Sequence, residues 1–311
     1  MVFATPQMGF FQQSVKTNME EYYNNEARPA YKPGVILPAV LFVITIFTTA
    51  VAGALYQGAD ILKNPYDIVK GIPFSASLIF ILGTHELGHF LASKRHGVYT
   101  TLPLFIPGPP IPPMIGTFGA VIKMKSPITT KNALVDIGSA GPLSGFIAAL
   151  FVTALGLGYS TVVPKATAEG ALGLGSSIIF HALSYLVVGP MAEGYDVILH
   201  PVAFAGWIGF FVTAMNLLPI GQLDGGHIIY ALIGARHRFF SIGMIAVLVL
   251  LGIFTWNGWF MWALLITVIG MWHPPVEDRH LPMDTRRKLT CAASIAVFVL
   301  TFMPTPFYII G

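Results

Sequence analysis

Two histidines and a glutamate interrupt an apolar run in "IFILGTHELGHFLASKR", residues 79–95. A helix turns about 100° per residue, which sets His85 and His89 about 40° apart on one face, with Glu86 on the flank. Two imidazoles one turn apart can hold a zinc ion, and a carboxylate beside them can act as a base on water. This is the H-E-x-x-H arrangement. The bland alternative is a pair of interfacial histidines with a solvated glutamate near Lys94. Burying three ionisable groups in an apolar helix without a use is costly, and that cost favours the metal reading.

A catalytic zinc usually takes three protein ligands and keeps a fourth position open. The carboxylates after His89 are Asp136, Glu169, Glu193, Asp196, Asp224, Glu277, Asp278 and Asp284. Most fall in polar linkers, and Asp136 opens an apolar span, facing its interface. Asp224 alone lies between two strongly apolar runs, in "MNLLPIGQLDGGHIIYALIG". A carboxylate at membrane depth needs a cation, and a zinc held by two neutral histidines lacks an anionic ligand. The two deficits cancel if Asp224 is the third ligand. Pro219 and Gly221 break the preceding helix, a break tolerated where it lines a cavity or is buried in protein. Asp224 then opens a fresh helix beside Gly225 and Gly226, which permit close helix approach. The other reading makes "LDGGH" an interfacial turn with Asp224 as its N-cap. His227 is expected to touch the metal's surroundings or a substrate rather than the ion.

These residues need elements to position them, and composition says what kind. Hydrophobic residues make up 55% of the chain and charged residues 10%. Soluble domains carry about 25% charged residues, so this chain reads as an all-α polytopic membrane protein. The net charge of +3 comes from short basic clusters, which excludes a nucleic-acid-binding stripe. One cysteine, Cys291, excludes an internal disulfide and a cysteine-rich metal site. Apolar runs fall at 35–56, 71–92, 133–158, 201–218, 239–254, 259–272 and 289–303, with a weaker one at 172–188. At about 20 residues per crossing they predict six to seven transmembrane helices. Residues 1–34 read as a polar cytoplasmic tail without a cleavable signal, and 35–311 as one membrane domain with its core at 71–235.

Basic clusters at Arg28 and Lys32, Lys94 and Arg95, Arg236 and Arg238, and Arg286 to Lys288 set the orientation. Placing them inside puts the amino terminus and the His85–His89 helix end toward the cytoplasm. Helix parity then forbids a full crossing by 172–188, which is expected to be re-entrant or peripheral. Residues 100–127 are too proline-rich for a helix, yet "TFGAVIKM" alternates, so a re-entrant β-hairpin beside the metal is expected. His96 and His237 accompany basic clusters and read as solvated, as do His273 and His280 in their polar linker. His181 reads as structural or interfacial and His200 as a helix cap.

The combination of "HELGH" with "NLLPIGQLDGGH" resembles the site-2 protease family of intramembrane zinc metalloproteases. The resemblance extends to "GTFGAVI", "AGPLSG" and "HPVAFAGWIGFFVTAMNLLP", and to a minimal member without PDZ or CBS domains. It implies one zinc per chain on His85, His89 and Asp224, with Glu86 as general base. It also implies Asn216 as a donor to the substrate backbone or oxyanion; a helix-to-break hydrogen bond near Pro219 is the alternative. The implied activity is hydrolysis of peptide bonds within transmembrane segments of single-span proteins in the lipid bilayer. "AGPLSG" reads as a tight-packing surface. The competing functions are a membrane zinc peptidase of another H-E-x-x-H family, with Glu169 or Glu193 as ligand, and a metal-ion transporter. Oligomeric state is left open.

Overall fold

The computed structural model describes residues 34–165, 172–269, 276 and 282–310. The tail expected at 1–34 (save Gly34), Glu169, His273, Glu277, Asp278 and His280 lie outside the described residues. The first helix, α1 (Ile36–Tyr56), leads through a 3-10 turn at Pro65–Gly71 into α2 (Ile72–Arg95). A hairpin of β1 (Leu104–Pro107) and β2 (Thr117–Val121) follows, then α3 (Lys131–Leu157). Next come β3 (Thr161–Pro164), β4 (Leu172–Leu174), α4 (Ile178–Val187), β5 (Tyr195–Ile198) and α5 (Pro201–Asn216). The chain then breaks before α6 (Asp224–Ile233), α7 (His237–Phe254), α8 (Gly258–Ile269), α9 (Thr285–Thr301) and β6 (Phe307–Ile309).

Among the described residues helices dominate, and the strands form three two-stranded antiparallel sheets, β1–β2, β3–β5 and β4–β6. Among the described residues, four helical stretches are long and apolar enough to cross a membrane: Ile36–Tyr56, Pro65–Arg95, Lys131–Leu157 and Asp224–Phe254. Ile178–Val187, Pro201–Asn216 and Gly258–Val268 are apolar but shorter. At 1.5 Å per residue, ten-residue α4 is only about 15 Å long, half the thickness of a bilayer core. It has no buried residue.

Helices α2, α3 and α5 form the inner layer. Phe74, Leu78 and Ile81 of α2 pack with Ala149 and Val152 of α3 and with Trp207, Ile208 and Phe210 of α5. Without a hydrophobic drive between helices in lipid, close backbone approach supplies the packing. Gly88 of α2 meets the Ala140 carbonyl of α3, and the Ser144 hydroxyl donates to the Thr84 carbonyl at 3.0 Å. A second cluster joins Leu134 and Val135 of α3 to Leu217, Ile228 of α6, and Cys291 and Val297 of α9.

The expected hairpin is formed, with Leu104 opposite Val121 and Phe105 opposite Ala120. It is docked on α1: the Thr48 hydroxyl donates to the Gly116 carbonyl at 2.6 Å, and the Phe42 and Phe105 rings meet edge-on at 5.0 Å. Gly116 has φ +80° and lies against the Thr48 and Thr49 backbone, so a side chain there would collide.

His96 differs from the sequence reading. His96 is half-buried rather than solvated, and its Nε2 lies 2.8 Å from Asp136 Oδ2. Arg287 of α9 donates to the same carboxylate from Nη2 at 2.6 Å and from Nε at 3.1 Å. This fork-shaped contact holds the guanidinium above its already high ordinary pKa. Asp284 caps α9, accepting the Arg287 N–H at 2.9 Å. The pair links the start of α3 to the start of α9. Arg287→Ala is therefore expected to lower stability by about 1.5–3 kcal/mol, the range for hydrogen bonds to charged groups. Unfolding of the purified protein in mixed micelles measures it, and Asp136→Asn should lose a similar amount.

Candidate metal centre

His85, Glu86 and His89 lie in the second half of α2, all buried, with relative exposures of 5%, 6% and 6%. The helix geometry sets the two imidazoles edge-on, at a centroid distance of 4.8 Å and an interplanar angle of 69°. Their Nε2 atoms face each other 3.1 Å apart. Asp224 arrives from far along the chain. Its Oδ2 is 3.2 Å from His89 Nε2 and 3.5 Å from His85 Nε2. Asp224 is the first residue of α6, and Leu223 precedes it as an N-cap without a side-chain cap bond. Its carboxylate is thus turned toward the imidazoles rather than back onto its own helix, against the N-cap reading.

The break before α6 makes that turn possible. Helix α5 ends at Asn216, and residues 217–223 fold back so that Gly225 and Gly226 lie against the backbone of Leu217, Ile220 and Gly221. Gly221 has φ +56°, and its N–H donates to the Ser241 hydroxyl of α7 at 3.3 Å. Ser241 in turn lies 3.3 Å from His237 Nε2. His237 is 1% exposed, so its reading as a solvated neighbour of Arg236 and Arg238 is wrong. It supports the turn that aims Asp224. The usable signal was its spacing: Ser241 follows one helical turn later on the buried side, whereas the arginines sit on the flanks.

Helix α3 backs the imidazoles. The Ile137 carbonyl lies 2.7 Å from His89 Nδ1, which fixes Nδ1–H as the donor and leaves the Nε2 lone pair aimed at Asp224 and His85. A backbone carbonyl carries no sequence signature, and this partner was not foreseen. Gly141 of "AGPLSG" lies directly against the His89 ring, where a methyl group would collide with it. At Gly145 a methyl carbon would come within 3.0 Å of His85 Nδ1. The motif packs as expected.

Three electron-rich atoms therefore converge, two on buried imidazoles and one on half-buried Asp224, all within 4.8 Å of one another. Only a cation or a shared proton reconciles them. Zinc–nitrogen bonds of about 2.0–2.1 Å imply tetrahedral edges of about 3.3 Å. The observed separations of 3.1, 3.2 and 3.5 Å match that spacing, so the donor set fits zinc. Asn216 stands at the rim, its Nδ2 3.2 Å from His85 Nε2. His227 is outside the ligand group and packs its Cβ toward Gly138 of α3. On the other flank, the backbone of Ile122, just past β2, lies close to the Glu86 carboxyl. His200 caps α5, accepting the Val202 N–H at 3.3 Å.

Residues 73–256 match peptidase family M50, and the chain belongs to that family. The "Probable zinc metalloprotease EGY2, chloroplastic" of Arabidopsis thaliana is 28% identical over 284 residues, covering 86% of this chain and 49% of its own length. The Arabidopsis protein of the same description named EGY1 is 28% identical over 304 residues, 86% of this chain and 53% of its own. Its namesake in Oryza sativa subsp. japonica is 30% identical over 245 residues, 76% and 41%. The chain thus spans about half the length of the curated relatives it matches. No solved structure matches it.

The site predicts that Gly141→Ala lowers metal affinity by about 10–100-fold, the range for disturbed ligand surroundings, and that Asp224→Asn, which removes a ligand's charge, lowers it at least as much. Zinc content of the purified protein after dialysis against a graded chelator measures both, with Gly158→Ala as a control in open surroundings.

Proposed function

We propose that this chain is an intramembrane zinc metalloendopeptidase, cleaving peptide bonds within the transmembrane segments of single-span proteins. The observation that carries the reading is the convergence of His85, His89 and Asp224 at zinc-ligand spacing, with buried Glu86 beside them on an apolar helix. Membership of family M50 and the zinc metalloprotease descriptions of the relatives support it. A metal-ion transporter would distribute ionisable residues along its spans. Among the described residues the potential ligands form one group.

In this reading His85, His89 and Asp224 hold zinc, which supplies a Lewis acid that polarises a carbonyl and lowers the pKa of water toward about 7. Glu86 takes the proton of the attacking water and delivers it to the leaving nitrogen. Its burial removes competing solvent, and the Ile122 backbone lies close to its carboxyl. Asn216 lies close enough to His85 to turn its amide N–H toward the developing oxyanion. His227, packed against α3, holds α6 in place beside the ligands.

A helical substrate hides its peptide bonds, so it must be extended before it is cut. Strand β2 pairs with β1 on one side only, and Phe118 is 65% exposed. An unwound segment added to the other edge would run directly to Glu86. We place the hairpin as re-entrant, and the apolar helices as six to seven crossings around one catalytic domain with the core at 71–235. The basic clusters support a cytoplasmic amino terminus and a site toward that face.

Glu86→Gln should abolish cleavage of single-span substrates by the purified protein while its zinc content stays at the wild-type level; near-normal turnover would remove Glu86 as the base. For orientation, the exposed Lys165 should resist trypsin applied from the cytoplasmic side of sealed vesicles and be cut from the other side.

A further inference from the structure

The strand that meets Glu86 continues past it. Beyond β2 the chain stays paired with residues 99–101: Thr101 N–H donates to the Lys123 carbonyl at 2.9 Å, and Lys125 N–H to the Tyr99 carbonyl at 2.7 Å. Lys123 N–H donates to the Thr101 hydroxyl at 2.9 Å. The backbones of residues 123 and 125 therefore point into the hairpin. Along β2 strand alternation turns the Ala120 backbone to the other edge, and Ile122, just past the strand, lies close to Glu86.

Exposure alternates along these residues, although the pairing shifts by one residue between Leu104↔Val121 and Thr100↔Met124. Val121, Lys123 and Lys125 are exposed, and Ile122 and Met124 are half-buried. A substrate segment laid along the β2 edge would pass Glu86 and reach the level of Lys123 within one or two residues, at about 3.3 Å each. The described acids at this end, Asp136 and Asp284, are engaged by Arg287. Among the described residues, Lys94 and Arg95 are also exposed, at the end of α2, which carries Glu86.

We infer that Lys123 forms a subsite for acidic side chains that follow the scissile bond toward the membrane surface. The preferred substrates are then single-span segments carrying Asp or Glu about one to four residues beyond the cut, on the polar flank. This inference rests on the proteolytic reading above and adds the substrate class to it. Opposite charges across an interface select partners by attraction and reject like charges. The ordinary role of lysines at a membrane boundary is to fix orientation, and in that case the substrate's flank would have no effect once the protein is in neutral detergent.

The test uses the full chain in neutral detergent micelles and three synthetic single-span peptides, identical except for a polar flank of Asp, Ala or Lys. Exposed ion pairs are individually weak, so the expected preference is about tenfold in kcat/KM for the Asp over the Lys flank. Lys123→Glu should reverse the order, and Lys123→Ala should shrink it. The same peptides, fluorescently labelled, are titrated onto the Glu86→Gln protein and its Glu86→Gln/Lys123→Glu double variant, so binding is read without turnover. A preference below twofold, or one that Lys123→Glu leaves unchanged, overturns the subsite. Cleavage of the Ala-flanked peptide that Glu86→Gln abolishes leaves the proteolytic reading standing in that event. If no peptide is cleaved, the proteolytic reading fails and the binding order decides the subsite alone.

Discussion

Three lone-pair-bearing atoms brought within bonding range of a common centre, and shielded from water, constitute the constraint on which the rest depends. Two imidazole nitrogens and a carboxylate oxygen at 3.1–3.5 Å repel unless something positive lies among them. In bulk water such a cluster would simply spread. Here α2 fixes the imidazoles by helical repeat, α3 fixes the ring of His89 through the Ile137 carbonyl, and α6 brings the carboxylate. The folded chain thus stores an electrostatic demand that a divalent cation satisfies.

Helix α3 is the wall of the site rather than a source of reacting groups. Its glycines are read best by what they exclude: Gly141 leaves room for one imidazole and Gly145 for the other. A helix of larger residues would push α2 away and separate its histidines from Asp224. The break at residues 217–223 is the complementary device, since a continuous helix from Pro201 would carry Asp224 onward along the same axis. The turn is held by the Gly221–Ser241–His237 chain of contacts, so α7 influences the site without touching it.

Much of this was legible because it is local. His85, Glu86 and His89 announce themselves by helical spacing, and Asp224 by being an acid stranded between apolar runs. The β-hairpin followed from prolines that forbid a helix and alternation that permits a strand. What the sequence concealed was non-local or carried by the backbone. The Ile137 carbonyl has no side-chain signature. Arg287 and Asp136 are 151 residues apart, and nothing near either residue names the other. His237 was misread because its charged neighbours suggested solvent, whereas a helix can turn one residue inward and both flanking ones out. The count of crossings is also hard to read from hydropathy: α5 is apolar but only 16 residues long, and inner helices wrapped by others need not match the bilayer's thickness.

The Arg287–Asp136 contact has a consequence for biosynthesis. Asp136 stands one residue before the carbonyl that orients His89, and its guanidinium counterpart is on α9, near the carboxyl end. A ribosome delivers the H-E-x-x-H helix and its backing helix early, and Asp224 later, but the clasp on α3 only when α9 has emerged. Assembly of the mature geometry is therefore ordered by translation, and a nascent chain stalled before α9 would carry every reacting side chain yet lack the strap that steadies them.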